Sequence, residues 1–423
     1  MNFTEIKNEH LGEKYYKIRH TSGLTIIIYP KKGFNSVYAS VATKFGSINS
    51  RFVCDGKEIK VPDGTAHYLE HKLFESEDGD AFTKYAKTGA SANAFTSFDV
   101  TCYLFSCTDK FNESLEILLD LVQSPYFTEE TVAKEQGIIG QEIKMYEDSA
   151  DWKVMMNLLQ AMYKNHPINI DIAGTVDTIA QIKPETLYDC YNAYYNLNNM
   201  VMCVAGNVSA EQVLEIADKK LKPCKKVKTE SIFPDEPYEV VKNYTEQTLP
   251  VAVPMFEIGF KENAPKTPAT TKELICTNIL LEAFASESSS LYRKLVDEKL
   301  INSSFDSEYL EGKGYRAVIL SGESRNPKKV AQIIKEAVTE LHTHGISKGD
   351  FEIAKRAVYG KTISGFDSLT SIASGIINAE FSDRKIFEAI EIFENLTVDD
   401  INERLENELD PDNFALSVVK GID

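Results

Sequence analysis

Two periodicities alternate along this chain, and the places where one gives way to the other predict its elements. Residues 15–30 read as two short strands with Ser22-Gly23 at the turn between them, and residues 36–47 as a longer, apolar-rich strand. Val61-Pro62-Asp63-Gly64 is loop chemistry and predicts a helix start immediately after it. Gly79 to Ala86 reads as a further short helix. The small, polar run Gly89 to Ser97 reads as extended and leads into a strand over 100–107. Phe111, Leu115, Ile117, Leu118, Leu121 and Val122 fall at helical spacing and predict a helix over 111–124, ended by Pro125. Helices follow over about 129–146 and 152–164 and after Pro184, then a strand at 199–206 and a helix over 209–221.

Residues 223–248 are charged, contain prolines and hold no sustained period, so they read as a linker. Beyond them the pattern predicts a strand at 251–261, helices at 269–285 and 289–299, and strands near 302–310 and 315–322. Helices over about 327–343, 347–361, 366–380 and 397–407 precede a last strand at 413–419. Each half opens with strands, carries a helical block and has a late strand introduced by Asn, at Asn199-Met200-Val201-Met202 and Asn413-Phe414-Ala415-Leu416. The expected fold class is therefore α+β: two homologous mixed α/β domains, 1–222 and 249–423, joined by the linker.

Composition narrows the classes of function. A chain of 423 residues is too long for one ordinary core, and 43% hydrophobic with 26% charged residues is the balance of a soluble globular protein. The net charge of −18 argues against nucleic acid or an anionic membrane as partner. The first 20 residues lack the apolar core of a signal peptide, and no run reaches the length of a membrane span. Seven cysteines, an odd number without CxxC spacing, read as reduced thiols, and a cytoplasmic location is expected.

The chemistry concentrates in His67-Tyr68-Leu69-Glu70-His71. On a helix, residues four apart share a face, so His67 and His71 can put two imidazoles on one metal ion, with the Glu70 carboxylate in reach as a base. With seven histidines in the chain, this H-x-x-E-H pattern arises by chance in roughly one such sequence in a hundred. The order is that of the inverzincins. A catalytic zinc site needs a third protein ligand. The helix near 129–146 offers Glu142, with Glu135 seven residues earlier and nearly eclipsed, and with Ile138, Ile139 and Ile143 expected on its apolar side. Glu147 is the alternative ligand on the same stretch.

Gly64 to His71 (G-x-A-H-x-L-E-H), Ala92-Asn93-Ala94-Phe95-Thr96-Ser97, and Glu135 to Glu142 together resemble the pitrilysin/insulinase family of zinc peptidases, with Phe45-Gly46-Ser47 matching the end of a preceding strand. The resemblance spans essentially the whole chain and is strongest in its first half. It implies one zinc ion per chain held by His67, His71 and Glu142. It also implies Glu70 as the catalytic base, Glu135 as a catalytically important neighbour, and a peptide substrate held along Ala92, Asn93, Ala94 and Phe95. The fold implied is half of a clamshell-like chamber. Parts of the sequence look closest to a bacterial branch linked by name to the 5-aminopentanol modification of elongation factor P; the link supplies no mechanism.

One feature of the family is missing. Many members carry an Arg and a Tyr seven residues apart in the second domain, where they help hold substrate. Here those positions fall on Val296 and Ser303, and Arg293 and Arg316 are out of register. The expectation is therefore a zinc-bearing subunit that works with a homologous, zinc-less subunit carrying the Arg/Tyr pair, or else a self-sufficient homodimer. A non-catalytic, peptide-binding role is the remaining alternative.

Overall fold

The structure, a computed structural model, describes residues 3–263 and 265–422. Two sheets carry the fold. The first has seven strands in the order Thr4–Asn8, Glu13–Arg19, Thr25–Pro30, Met200–Gly206, Val37–Thr43, Thr101–Cys107, Ser91–Thr96. Neighbours are antiparallel except Met200–Gly206 beside Thr25–Pro30. The second has five, in the order Tyr244–Thr248, Phe414–Lys420, Met255–Lys261, Tyr315–Glu323, Asp306–Gly312. Its one parallel pair is Phe414–Lys420 with Tyr244–Thr248. Counted from the edges Ser91–Thr96 and Asp306–Gly312, the sheets match strand for strand in order and direction, so the mixed α/β plan occurs twice.

The central strands are apolar on both faces because both faces are covered. In the first sheet Ile26, Ile28, Met202 and Val204 enter one core with Leu69, Leu118 and Leu119. Their neighbours Ile27, Tyr29, Cys203 and Ala205 enter another with Ile372, Ala373 and Ile376. The period of two sorts one strand's side chains between two cores.

The compact units differ from the contiguous division into 1–222 and 249–423. One comprises Met1–Ile143, Asp171–Ile232 and Gly365–Phe387; the other comprises Lys144–Ile170, Phe233–Ser364 and Glu388–Asp423. Each therefore contains a helix from the other's stretch of sequence. Helix Leu369–Phe381 packs on strands Met200–Gly206 and Val37–Thr43 of the first unit, and helix Ala150–Met162 packs on Phe414–Lys420 and Met255–Lys261 of the second. Gly259 admits that second helix, since a Cβ there would lie 2.4 Å from the Met162 sulfur. Both helices are amphipathic, and an apolar stripe does not say which sheet it will cover.

The stretch 223–248 is also more than a linker. Thr229–Ser231 pairs with Arg51–Cys54, which forms a hairpin with Lys57–Lys60, and Tyr244–Thr248 is an edge strand of the second sheet. The two strands within this stretch, Thr229–Ser231 and Tyr244–Thr248, are short, polar and half-exposed, so they show no alternation to read. The hairpin turns at Asp55-Gly56, both at positive φ, the Asp-Gly pair that favours a two-residue turn. Strand Thr4–Asn8 and helix Glu388–Asn395 were likewise outside the expected elements.

All seven cysteines are free thiols, five of them buried. Among the described residues no helix is long and apolar enough to cross a membrane.

Candidate metal centre

The H-x-x-E-H motif lies on a helix, Thr65–Leu73, that starts at Gly64. Gly64 has φ +89°, and a Cβ there would stand 2.4 Å from the backbone oxygen of Ala173, so only glycine fits this helix start without strain. Ala66, Leu69 and Leu73 anchor the helix in the core, and Tyr68 ties it to the next element through a hydrogen bond from its hydroxyl to the Val132 carbonyl. His67 and Glu70 are each 8% exposed, and the two imidazole centres are 4.6 Å apart.

Val132 belongs to helix Glu129–Glu147, which buries Val132, Ile139 and Ile143. Glu135 and Glu142 lie on a neighbouring stripe and face the histidines. Ile138 is half-exposed and departs from the expected apolar side. It stands three residues after Glu135 and four before Glu142, so helical geometry puts it on their stripe. Glu147, the alternative ligand, is exposed near the end of the helix.

Glu142 bridges the two rings. Its Oε1 lies 3.6 Å from His67 Nε2 and its Oε2 lies 3.3 Å from His71 Nε2. The three residues can each offer one ligand atom within 4.8 Å of the others, the one such cluster found among the described residues. Zinc bonds of about 2.0–2.1 Å give a tetrahedron with edges of about 3.4 Å, so the two separations between imidazole and carboxylate suit a zinc ion with little adjustment. Two imidazoles and a carboxylate are also a donor set that zinc accepts while keeping one position open.

The surrounding groups orient this set. Glu135 Oε1 is 3.0 Å from His71 Nδ1, the ring nitrogen turned away from Glu142, which leaves Nε2 for the site. His67 Nδ1 is buried and has no hydrogen-bond partner, so that ring is held by packing and by its Nε2 contact with Glu142. Burial opposes charging His71, but the hydrogen bonds to Glu135 and Glu142 prevail and push its pKa up to about 10. The hydrogen bonds from His67 and His71 hold the Glu142 carboxyl far below the usual range. Burial works against ionising Glu135, yet the His71 hydrogen bond and charge bring its pKa below the ordinary value. Burial pushes the Glu70 carboxyl up, opposed by a hydrogen bond from Thr96 and by both imidazoles.

The free edge of the first sheet, Ser91–Thr96, pairs on one side only, with Thr101–Cys107. Ser91, Asn93 and Phe95 are exposed, and Ala92, Ala94 and Thr96 are half-buried. The side chain of Asn93 accepts from the backbone N–H of Ala94 at 2.9 Å, so it serves its own strand here. Thr96 donates to Glu70 Oε2 at 2.6 Å. Reading the motif had not singled out Thr96 or Tyr68. The period-two signal that puts Thr96 on the face of Ala92 and Ala94 was present, but its partner lies 26 residues away.

A buried H-x-x-E-H helix joined by a glutamate from a second helix defines a metallopeptidase-type centre. Comparison places the chain more closely. Residues 53–176 match the model of the insulinase family, peptidase family M16, and residues 181–358 match that of the peptidase M16 inactive domain. The chain is 37% identical to the uncharacterized zinc protease YmfH of Bacillus subtilis (strain 168), over 98% of each sequence. The structure is similar to that of an M16-like peptidase from Alicyclobacillus acidocaldarius, at 30% identity and a TM-score of 0.93, over 100% of this chain and 99% of that one. Pitrilysin shares the fold at a TM-score of 0.76 and 15% identity, over 99% of this chain but 46% of its own. The chain belongs to peptidase family M16.

Proposed function

We propose that this chain is a zinc-dependent endopeptidase acting on short or unfolded peptides, with one zinc held by His67, His71 and Glu142. The observation that supports it most is the convergence of both Nε2 atoms on the Glu142 carboxylate at 3.6 and 3.3 Å. Zinc bound there supplies Lewis-acid polarisation of a peptide carbonyl and acidifies water. Glu70 takes the proton of the attacking water as the new C–O bond forms and then delivers it to the leaving amine as the peptide C–N bond breaks. An extended substrate pairs with the free edge of Ser91–Thr96, with Ala92, Asn93, Ala94 and Phe95 flanking it. Phe95 is 46% exposed and offers an apolar contact to a substrate side chain.

The chain works in the cytoplasm as the metal-bearing subunit of a heterodimer whose homologous, zinc-less partner carries an Arg/Tyr pair. Val296 and Ser303 occupy the positions of that pair in this sequence. The nearby arginines are engaged internally: Arg293 donates to the carbonyls of Ser288 and Ser289, and Arg316 is buried against Glu273. Pitrilysin and the periplasmic protease PqqL of Escherichia coli are each about twice the length this chain covers, as expected if a second chain supplies the other half. A homodimer is the second reading.

The test is hydrolysis of a quenched fluorescent peptide library by the zinc-loaded chain beside Glu70→Gln. Chelator-sensitive cleavage that Glu70→Gln lacks, with zinc retained, is the expected result. Cleavage that appears only after adding the partner is expected of the heterodimer. Equal cleavage by both proteins, or a chain that cannot be loaded with zinc, refutes the reading.

A further inference from the structure

Glu70 is held at one oxygen by a residue outside the motif. Thr96 Oγ1 lies 2.6 Å from Glu70 Oε2, a short, charge-assisted contact. The direction of this bond follows from counting protons. Thr101, directly opposite Thr96 in the register, donates its own hydroxyl proton to the Phe45 carbonyl at 2.9 Å. An ionised carboxylate can only accept, so the single Thr96 proton goes to Glu70 at 2.6 Å, and the 3.4 Å contact between the two threonine hydroxyls takes a proton from neither. Phe45 is 1% exposed and stacks on Tyr194 at 4.4 Å, so the chain of contacts ends in rigid core.

Thr96 is also the last residue of the sheet's free edge, with Ala92 and Ala94 on its face of the strand. The strand that offers backbone groups to an extended peptide thus ends in the hydroxyl that fixes the carboxylate.

We infer that Thr96 is a positioning residue: it locks Glu70 Oε2 and so aims the other carboxylate oxygen at the position of the attacking water. This rests on the peptidase reading given above. The hydroxyl itself touches neither metal nor substrate. It acts by removing the carboxylate's rotational freedom about its last bond, and it ties that orientation to the strand on which substrate docks. Misplacing a catalytic group by about 1 Å costs on the order of a hundredfold in rate.

The experiment compares Thr96→Val, Thr96→Ala and Thr96→Ser with the wild-type chain, all zinc-loaded, by crystal structure, zinc stoichiometry and peptide kinetics. In Thr96→Val the Glu70 carboxylate should leave its present position. kcat should fall roughly tenfold to a hundredfold while KM and one bound zinc per chain are retained. Thr96→Ser should restore both the carboxylate position and most of kcat. Thr96→Ala repeats the hydroxyl deletion should the valine variant fold poorly. A Glu70 that stays in place in both hydroxyl-free variants overturns the inference, as does zinc loss that parallels the loss of activity. A wild-type chain that binds zinc but cleaves nothing even with the partner present counts against the peptidase reading alone, because the position of Glu70 in the variants still decides the role of Thr96.

Discussion

Truncating Glu135 to Ala isolates the contribution of a residue that touches the candidate site only through His71. Its carboxylate oxygen is 3.0 Å from His71 Nδ1, and its side chain is 14% exposed, against 24% for His71. A hydrogen bond to a charged group contributes about 1.5–3 kcal/mol, which corresponds to roughly tenfold to 150-fold in a dissociation constant. Loss of an outer partner of a metal-bound histidine typically costs 10–100-fold in affinity, so two independent routes agree. Glu135→Ala should therefore bind zinc about 10–100-fold more weakly than wild type at unchanged stoichiometry. Glu142→Ala, which removes a proposed ligand, should lose far more. The assay is competition for zinc against a chelator of known affinity, read by a fluorescent zinc indicator at fixed pH and ionic strength. Equal affinity of Glu135→Ala and wild type would refute the claim that this contact orients the ring. So would equal losses in Glu135→Ala and Glu142→Ala, since the two residues would then share one role.

Gly64→Ala places a Cβ against the Ala173 backbone at a positive φ, and should cost roughly 2 kcal/mol, or about 4–8 °C in melting temperature. Thermal unfolding of the zinc-free protein checks this, and an unchanged midpoint would show that the helix start relaxes freely. Burial, with Glu308 and Asp151 nearby, pushes the Glu257 carboxyl up to about 8, and its Oε2 has no hydrogen-bond partner. A carboxyl whose pKa is raised by folding favours the folded state at low pH and loses that contribution as pH rises through about 8. Glu257→Gln should thus be more stable than wild type at pH 9, by on the order of 5 kcal/mol, with the gain shrinking toward pH 5. Urea denaturation at the two pH values measures it, and a gain confined to the acid side would reverse the assignment.

How far the centre was legible follows from where its residues lie in the chain. His67, Glu70 and His71 fall within one helical turn, so spacing alone brings them together. Glu142 needed more. Helical period put Glu135 and Glu142 on one stripe and made Glu142 the first choice, and the resemblance to a peptidase family raised it well above Glu147. The same period misplaced Ile138, because Ile138, Ile139 and Ile143 together suggest a broad buried face, whereas the helix buries only the stripe of Val132, Ile139 and Ile143. The Thr96 contact was beyond reach, since it joins residues on different elements. The helix exchange was hidden for a related reason: Ile372, Ile376 and Ile377 advertise a buried face without naming the sheet beneath it.

The repeated topology also bears on why the plan, used twice, carries a candidate metal centre in the first unit. In order along the chain, helix Thr271–Ala285 corresponds to the motif helix and helix Lys348–Gly365 to helix Glu129–Glu147. In the second unit these helices, with edge strand Asp306–Gly312, border a cavity of about 810 Å³. There the Lys361 ammonium lies 2.8 Å from the Glu282 carboxylate. A cation supplied by the chain itself occupies Glu282, one of three acidic residues lining this cavity with Glu287 and Asp306, and no imidazole lines it. A divalent ion binding at Glu282 would have to displace the ammonium and would find no nitrogen donors in exchange. The first unit has the opposite arrangement, with two imidazoles meeting one carboxylate. The difference between the two units is therefore one of side chains on equivalent helices, and the scaffold that positions them is common to both.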